Sequence, residues 1–584
     1  MEYFNWILQQ DFNKIYTNIE NCVIVKPPYL DWRVPHTFYF DKRGAFEIFE
    51  TLGYDRIYDT ISETWWDYYI WSIWTDVVLK KWNTTLKTTP NWQDRNFKFI
   101  YWTSVKWNMH DSGTGLVSNE TDPLNIFLRD SSKSWTTNEL AGKYVYVFWG
   151  DAWVWQVIRA SWNNSTDIFI SWVQGSISNW SYKIFDEIGS IPFFLGWDWL
   201  YGIHSDTEII KCDNFATITD IVFVHDRFFS SDANGNINKW GKGQFILYQD
   251  ETSSVTTVQN ILSMTSFQDY LLILGTDTVS LIKKETISVW GESTEEFTWS
   301  LVTRDFWLFA MWAFEIYNEW LYLVDSNKKF ISLSINSVTD TKFTTAVSDE
   351  WIYIQKDLDQ IWVWSHVRVY IDSNEIKIIN TWEWYTNMYI YDRYYKWWHK
   401  WDSGLEIYGY YHVADRYFWK DLYKLIDWQE QDSGWLDINQ KIKFIFWEEN
   451  ITAFKTVIFQ KVILWTHTDE WIIVDYKISS WQDLIRFPKS ITWTKLLQQG
   501  SIEKTSKGSV LGQTILGLWL LWDNDETLDY LYPKVWTVKI NLGYSCEMME
   551  SEFVATSWKR IVFGWLLIGY QIAQPWLTSV KNVI

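Results

Sequence analysis

An all-β chain is predicted: a β-propeller with an inserted small β domain and a C-terminal β-sandwich. Three observations lead there. Apolar and polar residues alternate with the two-residue period of half-buried strands through most of the 584 residues. Helical periodicity is scarce, and residues 6–20 are the one stretch read as a short helix. A loose unit of aromatic strand, short polar turn and second apolar strand recurs along the chain.

The unit is read as a β-hairpin whose turn carries Asp, Asn, Ser or Lys. Copies are HTFYFDKRGAFEIFE (36–50), YYIWSIWTDVVLKKW (68–82), WLYGIHSDTEIIKC (199–212), YLLILGTDTVSLIKK (270–284), WLYLVDSNKKFISLS (320–334), WIYIQKDLDQIWVWS (351–365) and RVYIDSNEIKIIN (368–380). Hairpins at uneven intervals, each with an aromatic near the same place, suggest propeller blades. The spacing is too irregular to count blades, and a stacked sandwich is the competing arrangement. Trp401-Asp402 lacks the repeat that would mark a WD40 propeller. Residues 108–185 differ in style. A loop rich in Ser, Asn and Asp leads into AGKYVYVF, QVIRAS and STDIFIS, read as an inserted β domain. Beyond about 425 the strands lengthen, as in KIKFIF (441–446), TVIFQKVIL (456–464) and WIIVDYKI (471–478). The expected organisation is an N-terminal arm (1–30), a discontinuous propeller (31–107 and 186–425), the insert (108–185) and a C-terminal assembly sandwich (426–584).

The chain has 47 Trp against 25 Gly, an inversion of normal usage. Many of these Trp stand where a turn calls for glycine: Trp320 after Asn318-Glu319, Trp351 after Asp349-Glu350, Trp471 after Asp469-Glu470, Trp162 before Asn163-Asn164, and Trp180. Trp197 and Trp199 in FLGWDWLYGI, and Trp149, Trp153 and Trp155 in VFWGDAWVWQV, read the same way. Hairpin turns need φ > 0 at one or two residues, which glycine adopts freely and a bulky aromatic does not. Most of these Trp are therefore expected to be UGA codons that encode glycine in an alternative genetic code. Trp397, Trp398 and Trp401 in YYKWWHKW look authentic. The competing reading is a naturally Trp-rich protein with aromatic sugar-binding platforms.

With 72 acidic and 51 basic residues the net charge is −21, which argues against binding nucleic acid by neutralising phosphates. It suits a channel wall along which DNA slides. Cys22, Cys212 and Cys546 match no metal or redox spacing. The opening MEYFNWILQQDF has no signal-peptide pattern. LGLWLLW (516–522) and IVFGWLLIGY (561–570) are too short for a spanning helix, so no membrane insertion is expected.

Catalytic, cofactor and metal residues are all predicted to be none. There is no G-x-x-x-x-G-K-[ST], H-E-x-x-H, C-x-x-C or G-x-S-x-G. His36, His110, His204, His225, His366, His399, His412 and His467 form no chelating pair. Asp232, Asn234, Asn236 and Asn238 alternate like a calcium loop, but Gly243 stands where the bidentate acid belongs, so turn formation is preferred. Glu295-Glu296 and Glu448-Glu449 are read as solvated acids rather than a glycanase pair. Tyr394, Tyr395, Trp397, Trp398 and Trp401 are read as a buried aromatic strand rather than a stacking platform.

Four stretches carry a family resemblance. IVFVHDRFFSSDANGNI (221–237), ILSMTSFQDYLLILGTDTVSLI (261–282), LVTRDFWLFAMWAFEIYNEWLYLVDSNKKFISLS (301–334) and MYIYDRYYKWWHKWDSG (388–404, followed by DLYKLIDWQEQDSGW) resemble segments of tail nozzle (tubular tail) and packaged-DNA stabilisation proteins of short-tailed bacteriophages. The segment at 138–171 is similar to a small β module frequent in virion proteins. Together these cover about half the chain and contain no catalytic constellation. The resemblance implies a non-enzymatic virion structural protein, assembled in the host cytoplasm as a homo-oligomeric ring. Its partners would be the portal or adaptor, other tail proteins, and DNA passing without sequence-specific contacts. The rivals are a receptor- or glycan-binding tail protein and a tail-associated glycan hydrolase.

Overall fold

The computed structural model describes residues 16–25, 39–99, 109–239, 255–347, 366–446, 455–503 and 534–572, short connections within these spans excepted. All 46 elements assigned among them are strands. The fold class is all-β.

Four sheets are meanders of four consecutive antiparallel strands, spanning 56–90, 218–256, 261–303 and 314–347. A fifth meander, 366–403, forms one end of a nine-stranded sheet. Phe193–Leu195, Trp199–Ser205 and Glu208–Asn214 make a three-stranded one. Gly409–Tyr411, Arg416–Phe418 and Asp421–Ile426 form a sheet whose fourth strand is Ala45–Thr51, from the other end of the chain. Side chains join neighbouring sheets. One apolar core runs from Leu272 and Leu281 through Leu321 and Leu333 to Val369 and Trp398.

The turns follow from their acids. Asp232 Oδ1 accepts the N–H groups of Asn234 and Asn236, both at 2.9 Å. Asp325 Oδ1 accepts Lys329 N–H at 2.6 Å, and Asp372 Oδ1 accepts those of Asn374 and Glu375 at 2.7 Å. A short carboxylate that binds its own backbone closes a turn without help. Asp232 Oδ2 also receives Asn236 Nδ2 at 2.9 Å, so its oxygens serve the turn.

Residues 109–185 close on themselves. The order is Tyr144–Trp149, Ile177–Phe185, Met109–Ser118, Phe127–Arg129, Asp167–Ile170, Trp153–Asn163 and back to Tyr144–Trp149, a six-stranded barrel. Leu128, Val145, Val147, Ile168, Tyr182 and Ile184 fill it. A Cβ on Gly113 would lie 2.4 Å from Asp130 Oδ2, so glycine is required where Tyr182 donates to Asp130 at 2.6 Å.

Several readings change. Tyr16–Glu20 is a strand rather than part of a helix, and residues 6–15 lie outside the described residues. Its alternating YTNIE buries Ile19 between Trp397–Ser403 and Gln440–Phe446, so tertiary pairing overrides local preference. Segment 36–50 is no hairpin: Tyr39–Lys42 pairs with Cys22–Val25 while Ala45–Thr51 pairs with Asp421–Ile426. The nine-stranded sheet also runs through the boundary drawn at 426. Through Tyr16–Glu20 it continues from the 366–403 meander into Gln440–Phe446, Met548–Ala555, Ile472–Gln482 and Ile485–Leu497. The copy at 351–365 lies outside the described residues.

Arg43 sits where these sheets cross. Its Nη1 and Nη2 donate to Asp432 Oδ1 and Oδ2 at 2.8 and 2.6 Å. The remaining donors reach Asn21 Oδ1 (3.1 Å), Gly44 O (2.9 Å) and Asp402 O (2.8 Å). All five guanidinium hydrogens are thus used. Asp432 in turn accepts Phe46 N–H at 2.8 Å and the Ser403 hydroxyl at 2.9 Å.

Among Trp with described backbones, Trp435 has φ 63°, beside Gly434 at φ 82° in the loop between Gln431–Asp432 and Leu436–Asp437. It is 87% exposed. An L-residue there is strained by roughly 1–2 kcal/mol, and no packing offsets it. Trp435→Gly is expected to raise stability by roughly 0.5–1 kcal/mol in urea titrations, since glycine's greater unfolded freedom takes back part of the relief. At 318–320 the positive φ falls on Asn318 and Glu319, and Trp320 begins a strand. Trp149, Trp153, Trp155, Trp162, Trp180 and Trp199 also lie in strands; Trp197, Trp351 and Trp471 lie outside the described residues.

Candidate functional site: a polar hub between the sheets

The first strands of five meanders bring polar groups together, with an isolated charge on four of them. They are Asp59 in RIYDTISE, Asp220 in ITDIVFV, Ser263 and Met264 in ILSMTSF, Glu315 in FEIY, and Arg368 in HVRVYI. Lys98, between Phe97 and Phe99, bridges them. Its Nζ lies 2.6 Å from Asp220 Oδ1 and donates to Met264 O at 3.2 Å. Asp220, whose side chain is 1% exposed, also accepts Met264 N–H at 2.7 Å, Ser263 Oγ at 3.2 Å and Ile221 N–H at 2.8 Å. Phe99 N–H donates to Asp59 Oδ2 at 2.9 Å.

Arg368 is held differently. Its guanidinium stacks over Tyr408 (4.2 Å) and Trp312 (4.6 Å), donates to Tyr58 O, and reaches Tyr370 Oη at 3.3 Å. Aromatic faces stabilise a cation removed from water. Glu315 keeps some accessible surface, yet protein surrounds it. Burial, then the charge of Asp59, pushes its carboxyl up to about 8, so it is mainly neutral at pH 7. The hub therefore ties sheets together with an ion pair, hydrogen bonds and stacked rings. Among the described residues, no group of three His, Cys, Asp or Glu is placed to hold a metal ion.

The residues weighed from sequence are dispersed. His110 meets Glu139 at 3.2 Å, His366 packs edge-on against Tyr408, and His225 has φ 53° at a turn. His204 lies in Trp199–Ser205; His36, His412 and His467 are outside the described residues. Glu295 pairs with Lys284 (2.8 Å) and Arg227 (3.3 Å), while Glu448-Glu449 are not described. Trp398 and Trp401 are core residues, and Trp401 Nε1 donates to Cys22 O at 3.1 Å. Trp397 lies in the same strand, and Tyr394 and Tyr395 are outside the described residues. The Cys22 thiol is buried, which pushes its pKa up; Cys212 and Cys546 lie in strands.

His399 stands apart. It is buried, neither ring nitrogen has a hydrogen-bond partner, and it shares a cross-strand row with Ile390 and Lys377. Burial, then Lys377, lowers its pKa to about 3 from 6.5. Between those values the unfolded chain binds a proton that the native chain refuses. Stability is then complete above 6.5 and falls with pH by up to about 1.4 kcal/mol per unit. His399→Leu should remove that component, seen as a stability difference from wild type that grows from pH 7 to pH 4. A difference that does not change with pH would contradict it.

No protein-family model matches the chain, and no curated protein matches it. Similar solved structures include the computationally designed Ika8 protein, 6% identical, covering 66% of this chain and 100% of that one with TM-score 0.28. BBS1N in complex with ARL6DN is 10% identical, covering 50% and 96%, with TM-score 0.26. BamB from Moraxella catarrhalis is 10% identical, covering 54% and 98%, with TM-score 0.25.

Proposed function

We propose that the chain is a virion structural protein of a short-tailed phage, a tail nozzle or head-to-tail stabilisation component built on a β-propeller. The observation that carries the propeller is strand sharing. Ala45–Thr51 completes the sheet of 409–426, as a first segment does when it closes a circular array onto its last blade. Five sheets and two parts of larger sheets then serve as blades: 56–90, 218–256, 261–303, 314–347, 409–426 with 45–51, and the parts at 193–214 and 366–403. The convergence of five of their first strands on one polar hub supports the same arrangement.

The tail assignment rests on the sequence resemblance together with an acidic, all-β chain that has long C-terminal strands. Lys98 and Arg368 fill the middle of the hub, so DNA would pass through a ring of subunits rather than through one propeller. A net charge of −21 suits a lumen wall that repels the duplex and lets it slide. Electron cryomicroscopy of the purified protein and of virions tests this. Closed rings with a duplex-wide acidic lumen are expected; monomers, or a basic inner wall, would overturn it.

We also propose that many Trp are recoded glycines. Trp435 supports this by its φ, whereas buried Trp135, Trp398 and Trp401 have the packing of authentic tryptophans. Reading the codons and the intact mass of virion-derived protein decides the matter: UGA codons should give a mass several kilodaltons lower. UGG codons would instead favour glycan binding through exposed rings such as Trp299 and Trp435.

A further inference from the structure

The two longest strands at the ends of sheets are Glu292–Thr303 (12 residues) and Ile485–Leu497 (13 residues). Neither has a partner on its outer side among the described residues. The next longest end strand, Arg56–Glu63, has 8 residues and lies at the hub. A long open edge is a ready template for another chain, and proteins usually shorten or cover such edges. Two left open among the described residues call for an occupant.

Their charges say which. Glu292–Thr303, ESTEEFTWSLVT, carries Glu292, Glu295 and Glu296 and no basic residue. Ile485–Leu497, IRFPKSITWTKLL, carries Arg486, Lys489 and Lys495 and no acidic one. Each edge repels a copy of itself and attracts the other. The acidic edge also exposes Trp299 (41%) and Leu301 (39%), area that a neighbouring strand would cover. Pro488 falls in the bulge between the Ser479–Ser490 and Trp481–Arg486 pairs, where no ladder bond calls on its missing N–H.

We infer that the acidic edge of one subunit pairs with the basic edge of a second copy by strand addition. The contact is head-to-tail, and a head-to-tail contact closes into a ring when its rotation permits. This inference rests on the ring reading above and names the surface that would build it.

The test is a charge swap. E292K/E296K and K489E/K495E chains are prepared separately, and their assembly at low salt is followed by mass photometry. Glu296 is exposed and Glu295 is left in its pairs with Lys284 and Arg227. Each variant alone now sets like charges against each other and should self-associate about tenfold more weakly or worse. In an equimolar mixture every junction is again acid against base, so rings of alternating variants should return. Rings that form in each variant alone, or a mixture that stays dissociated, would overturn the edge contact and leave the ring reading standing. A wild-type chain that stays monomeric at every concentration and salt would overturn both.

Discussion

Replacing Arg43 with alanine is expected to cost about 3–5 kcal/mol, among the largest single-site losses in this protein. The reason is what remains behind. Asp432 would be left in a buried site without its cation, losing both guanidinium bonds of 2.8 and 2.6 Å and keeping Phe46 N–H and the Ser403 hydroxyl. Asn21 Oδ1 and the Asp402 and Gly44 carbonyls would each lose a donor. Asp402 and Asp432 lie 359 and 389 residues from Arg43, so the loss falls on the junction between residues 21–46 and 402–432. Urea titration should show a lower midpoint, and limited proteolysis should release the N-terminal segment first. Arg43→Met combined with Asp432→Leu should recover part of the loss, because removing both charges spares the stranded carboxylate. A double variant as unstable as the single one would mean that the backbone contacts matter and the ion pair does not.

Asp220→Ala is expected to be nearly as damaging, by about 3 kcal/mol or more. It removes the acceptor for Met264 N–H, Ser263 Oγ and Ile221 N–H and strands the Lys98 ammonium 2.6 Å away. Asp220→Asn keeps an oxygen for the backbone donors and should lose less. Lys98→Met should lose an intermediate amount, since it leaves the Asp220 carboxylate, 1% exposed, without its cation while three donors stay bonded to it. Denaturant midpoints for the three variants give the order directly. A Lys98 variant less stable than the Asp220→Ala chain would place the work in the ammonium's contact with Met264 O instead.

Much of this architecture could be read in the sequence because it is local. The hairpins at 68–82, 199–212, 270–284, 320–334 and 368–380 are paired strands, and the turns led by Asp325 and Asp372 close by bonds within four residues. What stayed hidden depends on distant partners. Tyr16–Glu20 looks indifferent until Gln440–Phe446 flanks it, and DKRG at 41–44 reads as a turn until Asp432 arrives. The hub left a signal that periodicity alone overlooks: a single charge enclosed by apolar neighbours, as in FKF, ITDIVF, FEIY and HVRVY. In an exposed strand such charges would alternate. Alone among apolar residues, each implies a buried partner, but not which one.

The strand at Tyr16–Glu20 also sets a schedule for synthesis. It lies parallel to Trp397–Ser403 on one side and antiparallel to Gln440–Phe446 on the other, and Gln440–Phe446 is held in turn by Met548–Ala555. All three lie several hundred residues downstream of it. Tyr16–Glu20 therefore waits with both edges open while those residues are made, on the order of tens of seconds. Closing so long a loop is slow. The barrel at 109–185 and the central meanders can form while it waits, so a strand made before them finds its place after them.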